Sequence, residues 1–193
     1  NVDATRHTPW EPDTLVNAYS VGKGVASMLV LSLVERGELD LDAPIEGIWP
    51  EFAAEGKGAT TLRQLMSHQA GLPGVRERLP SNAMLDWGAM TSALAGQAPY
   101  WVPGTGHGYH VNTHGFLVGE PVCRRLGLRF SEALTKRVCG PLGIDFHIGL
   151  APSDHARVAT IVENRGDTPE TEEGGLDMYE MARKHFGTGD PER

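Results

Sequence analysis

The feature that most constrains this chain is the stretch from Val25 to Val34, an apolar run interrupted only by Ser27 and Ser32. No polar stripe at helical spacing accompanies it, and a helix apolar nearly all round belongs in a core. At about 14 residues it is too short for a bilayer, which takes roughly 20. Gly37, after Glu35-Arg36, is the expected stop, because glycine commonly sits just past a last helical turn. The head of this helix reads Asn17-Ala18-Tyr19-Ser20-Val21-Gly22-Lys23-Gly24. Ser20 and Lys23 therefore share one face of the first turn, where side chains three positions apart can meet.

That spacing suits nucleophilic catalysis. A serine hydroxyl is a weak nucleophile until a neighbouring base takes its proton. Lysine is such a base when neutral, and burial at the positive end of a helix dipole favours the neutral form. The same helix start offers backbone N–H groups to an anionic acyl intermediate. The plain alternative is an N-cap serine followed by a surface lysine. A lysine at the head of a core helix favours the first reading.

Composition narrows the partners. The formal charge of −8 argues against nucleic acid and against an anionic membrane surface. At 193 residues the length suits one domain, or one and part of another, and 40% hydrophobic residues suffice for a core. Residues 163–180 concentrate acidic side chains against Arg165 alone and read as a solvated, mobile loop. Cys123 and Cys139 are too few for a disulfide framework and read as free thiols of a reducing cytoplasm. No signal peptide or membrane span is expected.

Along the chain, Thr14 to Tyr19 reads as a short strand or turn and Glu38 to Pro44 as a connector that breaks at proline. Ile45 to Phe52 reads as a short helix or turn. Thr60 to His68 predicts a threonine-capped helix, with His68 hydrogen-bonded in the core. Met84 to Ala95 predicts a helix capped by Ser81 or Asn82. A further helix is expected around Phe116 to Leu126, with Pro121 in its tolerant first turn. Phe130 to Val138 reads as an amphipathic helix ending at Gly140-Pro141. Phe146 to Leu150 reads as a strand, and Met178 to His185 as a terminal helix.

Taken together, four stretches resemble the serine β-lactamase-like superfamily, which includes class C β-lactamases, D-alanyl peptidases, family VIII carboxylesterases and transacylases. They are Ser20-Val21-Gly22-Lys23, Leu39 to Pro44, Leu62 to Leu72, and Pro103-Gly104-Thr105 leading to Tyr109. The resemblance runs from about Trp10 to about Arg157. It implies an α/β (α+β) β-lactamase/transpeptidase-like fold. It also implies Ser20 as the acylated nucleophile, Lys23 as its proton acceptor and Tyr109 as the shared acid and base beside the leaving group. A phenol needs a cation such as Lys23 near it to work that way. The tyrosine motif of the β-lactamases has an asparagine two residues on; here Val111 stands there and Asn112 one place later. That departure points to the esterase and transacylase branch. The family's third motif, a strand bearing Lys, His or Trp with glycine two residues on, is not found; Phe186-Gly187-Thr188-Gly189 lacks a strand pattern. Residues 1–193 are thus expected to be mainly the helical part of the domain, much of the antiparallel sheet being missing and the remainder of that domain being their partner.

His107, His110 and His114 raise a metal site, but Gly106, Gly108 and Gly115 make a poor helix and no acidic ligand stands nearby. No metal and no cofactor is expected. Tyr100 and Trp101 are candidates for the walls of a substrate pocket, with His110 and Asn112 beside Tyr109. The expected function is an esterase-type serine hydrolase acting on a small ester or amide through an acyl-enzyme. The alternatives are a transacylase and a non-catalytic binding relative.

Overall fold

The computed structural model describes residues 7–161. The expected acidic loop 163–180 and the helix at 178–185 lie outside the described residues. Six helices carry the architecture: α1 (Val21–Glu35), α2 (Leu62–Met66), α3 (Trp87–Gly96), α4 (His114–Leu126), α5 (Phe130–Leu134) and α6 (Gly140–Leu142). Helix α4 lies at the centre, packed against α1, α2, α3 and α5. No extended strand forms among the described residues, only isolated bridges joining Leu15 to Val158 and Pro44 to Thr61. Phe146 to Leu150, expected as a strand, is therefore irregular: no neighbouring strand lies beside it to take its backbone bonds.

Helix α1 begins and ends as its sequence demands, with Gly37 at φ 68 beyond the last turn. Its burial is one-sided. Ala26, Leu29, Val30 and Leu33 are enclosed, while Val21 at 67%, Met28 at 50% and Leu31 at 48% exposure face outward. The expectation of a helix buried all round is thus met on one face only. Full burial of a leucine side chain contributes about 1.5–3 kcal/mol, so Leu29 and Leu33 anchor α1 in the core.

The short helices are set by their caps. Thr61 and Gln64 form a reciprocal capping box at the start of α2. Asp86, rather than Ser81 or Asn82, caps α3 by accepting the Ala89 N–H at 3.0 Å. The segment before it, Ala83–Leu85, is a separate 3₁₀ turn. Pro121 lies inside α4 and not in its first turn. It forgoes the bond to residue 117, a cost of about 3 kcal/mol that burial of Leu117, Val118 and Val122 offsets. The helix from Phe130 does not stop at Val138: it widens into a π-turn, Thr135–Cys139, and continues through Pro141.

One lysine belongs to the core. Lys57 is 0% exposed, and its ammonium donates to the carbonyls of Ala54 at 2.7 Å, Ala95 at 2.9 Å and Gln97. Two of these acceptors lie at the C-terminal end of α3, where a cation offsets the negative end of the helix dipole. Burial pushes its pKa down from the ordinary lysine value.

Candidate active site

The chain is already wound when it reaches α1. Val21, Gly22 and Lys23 donate their N–H groups to the carbonyls of Ala18, Tyr19 and Ser20, each at 3.1 Å. Tyr19 stands at φ 45, in a region uncommon for non-glycine residues, and its N–H is held by the Asn17 side chain at 2.9 Å. Ser20 occupies the N-cap position, yet its hydroxyl caps nothing. Instead Ser20 Oγ accepts a hydrogen bond from Lys23 Nζ at 3.1 Å. The plain reading of a capping serine and a surface lysine does not describe this geometry. Lys23 is half-buried and Ser20 exposed. The next three amides are spent on the turn, while the Ser20 N–H donates to no backbone carbonyl among the described residues.

Tyr109 arrives from a loop between α3 and α4, and its side chain lies beside both Ser20 and Lys23. Ser20 beside it holds the phenol below its ordinary pKa, and Lys23 adds to this, against the opposing effect of burial. The Lys23 ammonium lies 5.0 Å from the Tyr109 ring centroid. The structure therefore brings together the serine, amine and phenol singled out in the sequence.

The loop that carries Tyr109 is laced to the loop following α2. Tyr100 N–H donates to Gly71 O at 2.7 Å, Gly104 N–H to Gln69 O at 3.0 Å and Gly108 N–H to His68 O at 3.2 Å. His110 N–H donates to His68 Nδ1 at 3.1 Å. In return, Leu72 N–H donates to His110 Nε2 at 2.9 Å, and Thr113 Oγ1 donates to Leu72 O at 2.6 Å.

The other expected site residues fall elsewhere. His110 is 0% exposed, and both ring nitrogens are taken, Nε2 by Leu72 and Nδ1 by the Gly108 carbonyl. It ties the two loops together. Trp101 closes its own turn, donating from Nε1 to Gly106 O at 3.1 Å and filling the space over Gly108, where a Cβ would come within 2.8 Å of the indole. Tyr100 is half-buried under the Arg76 guanidinium, 4.0 Å from its ring centroid. Asn112 is exposed in the turn before α4. His107 is exposed and His114 buried. Burial pushes the pKa of both His110 and His114 down to about 4. Among the described residues no group of His, Cys, Asp and Glu is arranged to hold a metal ion, and no helix is long and apolar enough to cross a membrane. Cys123 and Cys139 are free thiols.

Sequence reading missed the part played by His68. It sits at φ 62 with its ring centroid 4.8 Å from that of Tyr109. Its one signal in the sequence was a histidine at the end of a short helix just before Gly71.

The model of the family described as Beta-lactamase matches residues 2–190. The chain belongs to the Beta-lactamase family. Among its relatives is the esterase/beta-lactamase LipL of Mycobacterium tuberculosis, 33% identical over 83% of this chain and 37% of LipL. Esterase EstB of Burkholderia gladioli is 31% identical over 70% of this chain and 38% of its own length. The chain thus spans less than half the length of these curated relatives. Two crystal structures show the same fold, each at 41% identity. A penicillin-binding protein homolog from Caulobacter crescentus superposes with a TM-score of 0.82 over 86% of this chain and 44% of its own. A family VIII carboxylesterase gives 0.80 over 83% and 45%. The mostly helical architecture described above is therefore a large part of a β-lactamase-like fold.

Proposed function

We propose that this chain carries the nucleophilic half of an esterase-type serine hydrolase. The observation that supports the reading best is the Lys23 Nζ to Ser20 Oγ bond at 3.1 Å, with the Tyr109 ring centroid 5.0 Å from the same ammonium. Three such groups in mutual contact, with an exposed serine, suit acyl transfer.

The step is written from these groups. Ser20 Oγ attacks the ester carbonyl carbon while its proton passes to the Lys23–Tyr109 pair, which carries one proton fewer than its full complement. The developing oxyanion accepts from the Ser20 N–H. Collapse breaks the bond to the alcohol oxygen, which takes the proton back from Tyr109. Water then adds to the Ser20 ester carbon and gives a proton to the same pair; collapse breaks the bond from that carbon to Ser20 Oγ, which takes the proton back as the acid leaves. An amine or alcohol in place of water would make the protein a transacylase. That variant has one specific support: monacolin J acid methylbutanoyltransferase of Aspergillus terreus is a relative at 27% identity over 70% of this chain. Val111 and the exposed Asn112 favour simple esters over β-lactams or peptides. The outward apolar face of α1 at Val21, Met28 and Leu31 is, in this reading, covered by the remainder of the same domain.

The test is a fluorophosphonate offered to the full-length protein. The expected result is the mass of one phosphonyl group on Ser20, absent in Ser20→Ala. Labelling that persists in the variant would overturn the assignment.

A further inference from the structure

His68 holds the backbone on both sides of Tyr109. Its main-chain carbonyl accepts the Gly108 N–H at 3.2 Å, and its ring Nδ1 accepts the His110 N–H at 3.1 Å. Among the described residues no other side chain grips both amides flanking the phenol-bearing residue. The ring itself lies 4.8 Å from the Tyr109 centroid and 4.7 Å from that of His114. At φ 62 the backbone of residue 68 would be more relaxed as glycine. The imidazole is what adds the acceptor for His110 and the surface against which the phenol rests.

We propose that His68 is a positioning residue for the acid–base step, clamping the segment 108–110 so that the Tyr109 hydroxyl stays against Ser20 and Lys23. The inference rests on the acyl-transfer reading above. It is a geometric claim, and small displacements are costly: misplacing a reacting group by about 1 Å can lower the rate on the order of 10²-fold. The clamp needs Nδ1 without a proton, so the ring is the tautomer protonated at Nε2. The charged or titratable groups facing it are Lys23, His107, His110, His114 and Tyr109. Burial, then His107 and Lys23, pushes the His68 pKa below the ordinary imidazole value, which keeps Nδ1 free to accept.

Two substitutions in the full-length protein separate backbone from ring. His68→Gly suits the left-handed backbone but removes the acceptor. His68→Asn tolerates that backbone and returns an oxygen near the position of Nδ1. With a p-nitrophenyl ester, kcat is expected to fall on the order of 10²-fold in His68→Gly with KM little changed, and to recover most of that loss in His68→Asn. A second readout is the phenolate absorbance of Tyr109, isolated by subtracting the Tyr109→Phe protein; it should move to higher pH in His68→Gly. Should His68→Gly fail to fold, His68→Asn decides alone: a folded Asn protein as inactive as Ser20→Ala overturns the proposal. Wild-type kcat in folded His68→Gly, or an unmoved phenol titration, overturns it too and leaves the acyl-transfer reading standing. Undiminished turnover in Ser20→Ala overturns that reading instead.

Discussion

Lys23 Nζ and Ser20 Oγ are 3.1 Å apart across a single helical turn, and the Tyr109 ring centroid lies 5.0 Å from the same ammonium. The amine and hydroxyl owe their meeting to the pitch of α1; the phenol owes its place to a lattice of loop–loop bonds. The phenol is thus the part of the site most open to perturbation.

Tyr109→Phe keeps the ring and its packing on His68 but deletes the acid and base. Turnover of an ester should fall roughly 10²- to 10⁴-fold, with KM nearly unchanged. In the wild type the Tyr109 phenol should titrate below its ordinary value, because Ser20 and then Lys23 favour the phenolate. Its titration should move to higher pH in Ser20→Ala and in Lys23→Met. A phenol titrating at its ordinary value in the wild type would break the proposed contact.

Lys57 offers a test of the core independent of the chemistry. Lys57→Met removes the donor shared by Ala54, Ala95 and Gln97 and strands buried carbonyls. The expected loss is about 3 kcal/mol in denaturant unfolding. Lys136→Met, at an exposed position, should change stability by less than about 0.5 kcal/mol. Equal effects at the two positions would mean that the buried ammonium contributes nothing.

Stability should also decline in acid. His110 and His114 are buried with pKa values pushed from 6.5 to about 4. Between those values the unfolded chain binds protons that the fold excludes, so protonation favours unfolding there. The share of stability that rests on these two rings being neutral should be complete above 6.5 and decline as the pH drops through the window to about 4. Urea midpoints at several pH values across this range give the measurement. A flat profile would mean that neither ring is buried as described.

What was legible in the sequence was local. The Ser20–Lys23 contact spans three residues, and the Thr61–Gln64 capping box another three, so helical geometry sets both. The stop at Gly37 followed from the same rules. Tyr109 was legible only through a resemblance, because spacing along the chain does not say which distant aromatic will reach a helix start. Pro121 was placed too early in its helix, because burial of its neighbours outweighs a local penalty that propensity alone would respect.

By itself, then, the sequence determined a helix with a hydroxyl and an amine on one face, and an apolar surface needing cover on more than one side. The tertiary structure decided which face of α1 is covered, that Lys57 is a core residue, that His110 joins loops, and that His68 brackets Tyr109. The reason is distance along the chain. The His68–His110 bond spans 42 residues and the Lys57–Gln97 bond spans 40, and such contacts form only when the packing of α2, α3 and α4 brings those segments together.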